Sequence, residues 1–332
     1  MSGMGRREFV ALLGGAAAAW PLAAQAQQAA IPVIGFLHSE TPAPWWEGLI
    51  AIMKRSLAEM GYVEGRNFVI EYRWAEGQTD RLPALAADLV RRNVAVIVAP
   101  ANTPTAFAAK LATRTIPIVF SVGTDPVESG LVESLNRPGG NLTGVSISDI
   151  EVLAKRIQLL HQLVPTATSI ALLVNPKNPV TAQAETREAH VAANALGLRM
   201  LVLNASNLDD ITVAFAKLLE QQAGALVVSD EVFFSGMVHD QLIELAMRHK
   251  IPMSSHSSGV AKGALIAYGH DPRDIWRHIG IYAGRLLKGE RPADLPVQRS
   301  VKLDLIINLK TAKALGIEVP PTLLARADEV ID

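Results

Sequence analysis

The sequence predicts an α/β chain of two doubly wound parallel-sheet lobes with a ligand cleft between them. Three observations carry this. From residue 31 onward, short and almost wholly apolar runs alternate with amphipathic stretches, the pattern of parallel strands buried on both faces and joined by helices. The alternation runs twice, with like features in the same order. The length, 332 residues, suits two domains at roughly 100–200 residues each. A composition with 49% hydrophobic and 19% charged residues is neither that of a disordered chain nor that of a coiled coil.

In the first half, residues 31–37 are nearly all apolar and predict a strand buried on both faces. A helix is expected at 45–60 and an alternating strand at 68–74. Asp80 stands where it would cap a helix reaching Arg92. A strand at 94–99, a helix at 103–112, a strand at 116–120 and a short helix at 128–135 follow. Arg137-Pro138-Gly139-Gly140-Asn141 is a loop, and 142–147 reads as a strand.

The second half repeats the scheme. Helices are expected at 151–163, 181–196, 208–221, 239–249, 275–287 and 309–315, with strands at 170–174, 199–203, 225–229, 265–268 and 301–307. A last helix is expected over 322–330, after Pro320-Pro321. Gly61 ends a helix before one strand as Gly197 does before another, and Asp80 and Asp210 each start a helix leading to an apolar strand. These echoes predict two lobes of like topology.

The N-terminus reads as an address. Arg6-Arg7-Glu8-Phe9 precedes an uncharged apolar run, and Ala24-Gln25-Ala26 supplies the small residues of a cleavage site. Together they predict a secretory signal peptide over 1–26, cleaved near Ala26. The paired arginines resemble a twin-arginine signal. A buried helix or an uncleaved anchor is the alternative, although the run is shorter than the roughly 20 residues of a membrane span. No later stretch is apolar enough to span, so a chain released by cleavage is expected to be soluble.

In open parallel sheets ligands sit outside the carboxyl ends of the strands. Two facing lobes would bring those edges together across a cleft. The residues just after the strands therefore matter most. They are His38-Ser39-Glu40 and then Trp45-Trp46; Asn102-Thr103-Pro104; Thr124-Asp125; Asn175 to Asn178; Asp230-Glu231; and Ser254 to Ser258. Thr103, with backbone N–H groups at a helix start, would hold a carboxylate. Asp125 and Asp230 would hold an ammonium group. Trp45 or Trp46 would cover an apolar or aromatic side chain, only one of the two facing the cleft easily. The set describes an amino-acid-like zwitterion. Helix capping, turn-making and core packing are the competing roles for Thr103, Asp125 and the tryptophans.

These segments also carry a family resemblance. Arg6-Arg7-Glu8-Phe9, Gly61-Tyr62-Val63-Glu64-Gly65-Arg66-Asn67, Glu71-Tyr72-Arg73-Trp74, Ser134-Leu135-Asn136-Arg137-Pro138-Gly139-Gly140-Asn141 and Ile307-Asn308-Leu309-Lys310-Thr311-Ala312 resemble the ABC-transporter substrate-binding proteins of the type I periplasmic binding-protein fold. The likeness is to the branch related to tryptophan and tyrosine receptors, and it spans essentially the whole chain. It implies a periplasmic, non-catalytic receptor, expected to be a monomer, that closes on a small-molecule ligand and docks on an ABC permease in the inner membrane. It also implies three crossovers, near Gly144–Ser146, Tyr268–Asp271 and 296–301, so that 31–145 with 271–297 form one lobe and 146–268 with 300–332 the other. By motif, the ligand-holding positions fall on Ser39, Asn102, Thr103, Asp125, Asn175 and Asp230, to which the residue reading adds Trp45. Ser254-Ser255-His256-Ser257-Ser258-Gly259 departs from the bulky and acidic residues common in the family.

Other classes fit less well. The 31 Lys and Arg against 32 Asp and Glu give no basic excess for nucleic acid. The absence of cysteine excludes disulfides, Cys-ligated metals, a Cys nucleophile and a lipid-anchored cysteine. There is no nucleophile elbow, phosphate loop or dinucleotide fingerprint, and the eight histidines form no paired zinc motif. No enzyme, cofactor or metal is therefore expected. His38 and His256 fall at strand ends, where they could touch a ligand; His161, His190, His239 and His249 fall in helices as surface or packing residues. A DNA-binding regulator on this fold would need a helix-turn-helix where the signal sequence stands. A periplasmic sensor presenting its closed form to a membrane signalling protein remains the alternative to a transport receptor.

Overall fold

Two sheets take up the strands, and the chain passes between them three times. The computed structural model describes residues 31–332 apart from 101, 148, 149, 230, 236, 237 and 301. The expected signal segment 1–26 and the candidate Asp230 lie outside the described residues. The first sheet holds β1 (Val33–His38), β2 (Val69–Trp74), β3 (Val96–Ala99), β4 (Ile118–Val122), β5 (Leu142–Ser146) and β11 (Gln298–Arg299). Its order is β11-β5-β4-β3-β1-β2, parallel throughout. The second holds β6 (Ser169–Val174), β7 (Arg199–Asn204), β8 (Ala225–Val228), β9 (Met253–Ser254), β10 (Ile266–His270), β12 (Leu303–Asn308) and β13 (Glu329–Ile331), in the order β13-β12-β10-β9-β8-β6-β7.

The two orders are alike over their first five strands, β2-β1-β3-β4-β5 and β7-β6-β8-β9-β10. The glycine echo is structural too. Gly61 and Gly197 both have positive φ, 92° and 70°. Each closes its helix with the same pair of bonds, Gly61 N–H to Ala58 O with Tyr62 N–H to Leu57 O, and Gly197 N–H to Asn194 O with Leu198 N–H to Ala193 O. This is the helix stop that favours a left-handed glycine.

Alternation along each strand builds two apolar faces per sheet. Ile34, Phe36, Val96 and Val98 pack with α1 (Pro44–Glu59) and α10 (Pro272–Leu287), while Leu37, Ile97, Ile118 and Phe120 pack with α2 (Leu82–Arg91) and α3 (Thr103–Ala112). In the second sheet Ile170, Leu172 and Val227 meet α4 (Ile150–Leu163) and α5 (Pro179–Ala195). Ala171, Leu173 and Leu226 meet α6 (Leu208–Glu220) and α8 (His239–Arg248). Helix α10 thus covers the first sheet although it follows the second sheet's β10.

The crossings explain one exception to parallel order. The chain leaves β11 at the carboxyl edge of the first sheet and enters β12 from that side, so β12 runs antiparallel to β10. Three other expectations are corrected. Asp80 does not cap a helix: it lies in a 3-10 turn, Thr79–Arg81, and α2 starts after it at Leu82 with Pro83 in its first turn. No helix forms at 128–135, because Gly130 has φ 73° and Lys110 Nζ takes the carbonyls of Gly130 and Leu131. The terminal helix is only α12 (Pro321–Leu324); Glu329–Ile331 instead pairs with the open edge of β12 as β13. Helices α7 (Val232–Ser235), α9 (Ser257–Lys262) and α11 (Leu309–Leu315) complete the structure. Among the described residues no helix is long and apolar enough to cross a membrane.

Candidate functional site

The carboxyl ends of both sheets border a series of neighbouring cavities that share lining residues. A polar pocket of about 50 Å³ is lined by Asn102, Thr103 and Gly123 of the first lobe and Arg156, Thr181, Glu185 and Glu231 of the second. It shares Gly123 with a chamber of about 150 Å³ beside the crossovers, where Trp45, Trp46, Trp276, Ile147, His256 and His270 meet. On another side it shares Asn102, Asn178 and Glu231 with an acidic chamber of about 410 Å³ that also takes in Glu40, Glu76, Asn175, Lys177 and Asp209.

Thr103 sits at the start of α3 because Asn102 is a good cap. Asn102 has extended backbone angles, and its Oδ1 accepts from Thr105 N–H at 2.9 Å and from the Thr105 hydroxyl at 2.6 Å. Its Nδ2 donates to Ser39 Oγ at 2.7 Å, and Ser39 Oγ donates to Glu40 Oε1 at 3.4 Å. Ser39 is buried and props Asn102 and Glu40 rather than lining a cavity. The Thr103 hydroxyl pairs with that of Thr124 at 2.9 Å. Of the first three helical N–H groups, one is absent at Pro104 and one is taken by Asn102.

In the second lobe Asn175 Oδ1 accepts from Lys177 N–H, and Asn175 Nδ2 donates to Glu231 Oε2 at 3.1 Å. The same carboxylate oxygen accepts from Phe233 N–H at 3.0 Å. Burial pushes the Glu231 carboxyl above the usual range, against these bonds. Glu40 is pushed up to about 7 by burial first and by the Glu231 charge second, with the Ser39 bond opposing.

Arg156 is buried on the apolar stripe of α4. Its Nε donates to Ser254 Oγ at 3.2 Å, and one terminal nitrogen donates to Val228 O at 2.6 Å and Ser254 O at 3.3 Å. The unusual serine segment thus anchors a guanidinium instead of presenting a bulky floor. Planar and permanently charged, that group suits a carboxylate.

The aromatic chamber takes both neighbouring tryptophans, where the sequence suggested that only one could face the cleft easily. The Trp46 ring is buried and 6.2 Å from that of Trp45, which is half-buried, and it lies 6.3 Å from Trp276 of α10. Both line the space because it wraps around the first turn of α1. His38 does not line it: its ring stacks on Phe36 and meets Trp46 and Trp74 at a tilt, and burial pushes it down to about 3. Its Nδ1 accepts from Glu40 N–H. His256 lines the chamber 6.3 Å from Trp45, with the His239 ring 4.4 Å away. Burial pushes both imidazoles below the ordinary value, His239 to about 4.

Asp125 stands apart. Its Oδ1 accepts from Val127 N–H at 2.8 Å and Glu128 N–H at 3.1 Å, organising the turn that replaces the expected helix. It borders an outer cavity of about 250 Å³ with Thr181 and Glu185. Thr103, Asn102 and Asn175 are therefore brought together around the polar pocket and acidic chamber, Trp45 joins through the aromatic chamber, and Asp125 lies outside. Sequence reasoning did not select Arg156, Glu40, Glu231 or Trp276. Arg156 had a signal: it falls three residues after Leu153 and four before Leu160, on the face a helix buries.

A family model described as ABC transporter substrate binding protein matches residues 46–331. A tyrosine-binding protein of Clostridioides difficile is 30% identical over 265 residues, covering 80% of this chain and 75% of the relative. The structure of an ABC domain in complex with L-Trp from Streptococcus pneumoniae superposes with a TM-score of 0.81 at 26% identity, covering 90% of this chain and 99% of that one. The ligand-free, open structure of a substrate-binding protein with adhesive properties from Clostridium difficile gives 0.63 at 25% identity, covering 91% and 99%.

Proposed function

The chain belongs to the family of ABC transporter substrate-binding proteins, and on that premise we propose that it is the extracytoplasmic receptor of an ABC importer, closing on an amino acid with an aromatic side chain. One observation carries the reading: a pocket between Thr103 and Arg156 and a chamber walled by three indole rings are neighbours that share Gly123 as a lining residue. In this reading the ligand carboxylate lies against Thr103, Asn102 and Arg156. The ring lies among Trp45, Trp46 and Trp276, and the amino end points toward Asn175, with Asp125 contributing from the outer cavity and Asp230 kept as a further partner on its sequence position alone. The ligands of the two similar proteins, tyrosine and L-Trp, support the class.

The lobe arrangement supports the mechanism. At nearly equal identity and coverage, the chain superposes better on the L-Trp complex than on the ligand-free, open protein. Ligand would stabilise this arrangement by its differential affinity for closed over open lobes. The mature chain, beginning near residue 27, would act as a monomer in the periplasm and present the closed form to a permease in the inner membrane.

A thermal-shift screen of residues 27–332 against amino acids, aromatic acids, sugars, short peptides and metals tests this. A ligand at a hundredfold excess over Kd adds about 2.7 kcal/mol. L-Trp or L-Tyr should give the largest shift. A shift with sugars alone would overturn the ligand class, and mass spectrometry of the denatured protein would reveal a compound already bound.

A further inference from the structure

One side chain of the second lobe is buried in the core of the first. Helix α7 (Val232–Ser235) follows β8 of the second sheet. Phe233 and Phe234 join the second lobe's apolar core, with Leu226, Val228 and Leu242. Val232, at the start of the same turn, joins the first lobe's core instead, with Phe36, Trp46, Ile275 and Trp276, and is 4% exposed. Every other buried member of that core lies within 34–145 or 275–295. Val232 also lines the aromatic chamber between the lobes.

A single turn of helix is not stable by itself, and α7 is pinned to its own lobe. Glu231 Oε2 accepts from Phe233 N–H at 3.0 Å and from Asn175 Nδ2 at 3.1 Å. Phe234 N–H donates to Glu231 O at 3.0 Å, and the rings of Phe233 and Phe234 meet edge to face at 5.1 Å. Val232 is thus carried at a fixed place, and its branched side chain has little χ1 freedom to lose on docking. Parting of the lobes would return its methyl groups to water. We propose that Val232 is an apolar latch, which docks into the first lobe's core as the lobes come together and biases the receptor toward its closed form before any ligand is bound. The latch rests on the reading of the chain as a receptor whose lobes close, and not on the class of its ligand. It acts on every ligand by one factor, because it changes the fraction of chain that is closed rather than the contacts of one solute.

Single-molecule energy transfer between labels on the two lobes of residues 27–332, without ligand, tests it. Val232→Ala removes two buried methyl groups and should lower the closed-to-open ratio about tenfold. Val232→Thr keeps the shape but puts a hydroxyl among apolar side chains, and should lower the ratio at least as much. Should one variant fail to fold, the other carries the test. Neither should move the melting temperature of the unliganded chain much, because the lobes part before they unfold, whereas Phe234→Ala, in the second lobe's own core, should lower it. Titrations with L-tryptophan, L-tyrosine and L-phenylalanine should weaken by one common factor. An unchanged closed fraction in the variants would overturn the latch. Val232 would then be a ligand contact if the losses of affinity differ from ring to ring, and an ordinary core residue if the melting temperature alone falls. If no amino acid binds, the aromatic reading falls and the unliganded ratio still decides the latch. If no closed form appears in wild type with or without an amino acid that binds, the latch falls together with the closing mechanism.

Discussion

The two ends of the cleft differ in what dominates them, indole rings at one and carboxylates at the other. Beside the crossovers three indole rings dominate a space that Asp304 and two histidines also line, and the Trp45 indole N–H is buried there without a hydrogen-bond partner among the described residues. At the far end Glu40, Glu231, Glu76 and Asp209 gather around amides, with one exposed lysine. An apolar chamber tolerates being empty at the cost of lost contact, whereas a buried acidic one demands a counter-charge. The aromatic end is thus suited to supply affinity, and the acidic end to decide which solutes allow closure.

The sharpest way to break this contrast is at the polar pocket between the two ends. Arg156→Ala should reduce amino-acid affinity by about a hundredfold or more and also lower the melting temperature. It removes the donor to Val228 O and Ser254 O, and buried groups left without partners cost about 1–3 kcal/mol each. Calorimetry and thermal denaturation read the two effects separately. Arg156→Lys should restore much of the stability and little of the affinity, since it keeps the charge without the planar fork.

Acidification should act on the acidic end through Glu40 and, with the opposite sign, on the aromatic end through His256 and His239, whose imidazoles burial holds below the ordinary value; Glu40→Gln separates the two. Glu40 is raised from an ordinary 4.5 to about 7 in this lobe arrangement. A raised carboxyl penalises the form that raises it: the penalty is absent below the ordinary value, grows between about 4.5 and 7, and is complete above 7. The ligand-free chain should therefore close more readily as pH falls through that window, by at most a factor of about 300 if the whole shift arises on closure. The charged groups sharing the chamber, Glu231, Glu76, Asp209 and Lys177, and His38, which accepts from Glu40 N–H, can shift the midpoint but not its sign. Fluorescence energy transfer between labels on the two lobes would detect it. A flat profile in wild type, or an unchanged one in Glu40→Gln, would contradict the assignment.

At the aromatic end Trp45→Ala should weaken L-tryptophan by about 1.5–3 kcal/mol while hardly touching stability, because the ring is half-buried. Trp276→Ala should lower both, since that ring is 4% exposed and also packs against Trp46 and Phe36. The smallest effect is expected at Asp125→Ala, which removes the acceptor of two turn N–H groups at the cleft's edge. Affinity should change only a few-fold and stability by about 1 kcal/mol. A large affinity loss there would move the ammonium site to the outer cavity.

Most of the architecture was legible in the sequence because buried parallel strands are apolar on both faces, as Ile34 to Leu37 and Ala225 to Val228 are. What escaped was short or determined at a distance. Residues 128–135 look helical locally, but Lys110, from another helix, claims the carbonyls of Gly130 and Leu131. Residues 329–331 form a strand only because β12 offers an open edge. Reading strand ends picked out Asn102, Thr103 and Asn175, which line the polar pocket and the acidic chamber. It passed over Glu40 and Glu231, which stand in the same positions, because nothing in the sequence says that two carboxylates from opposite halves share a chamber. Arg156 was hidden in a helix and Trp276 in another, since attention to strand ends leaves helices out.

The central claim is that the lobes close on an aromatic amino acid. Small-angle X-ray scattering of residues 27–332, alone and with saturating L-tryptophan, L-tyrosine or glucose, tests it most directly. At pH above 7, where the acidic chamber opposes empty closure, the account predicts a smaller radius of gyration with either aromatic amino acid and none of that contraction with glucose. Contraction with glucose, or an unchanged radius with both amino acids in a chain shown by mass spectrometry to carry no prior ligand, would contradict it.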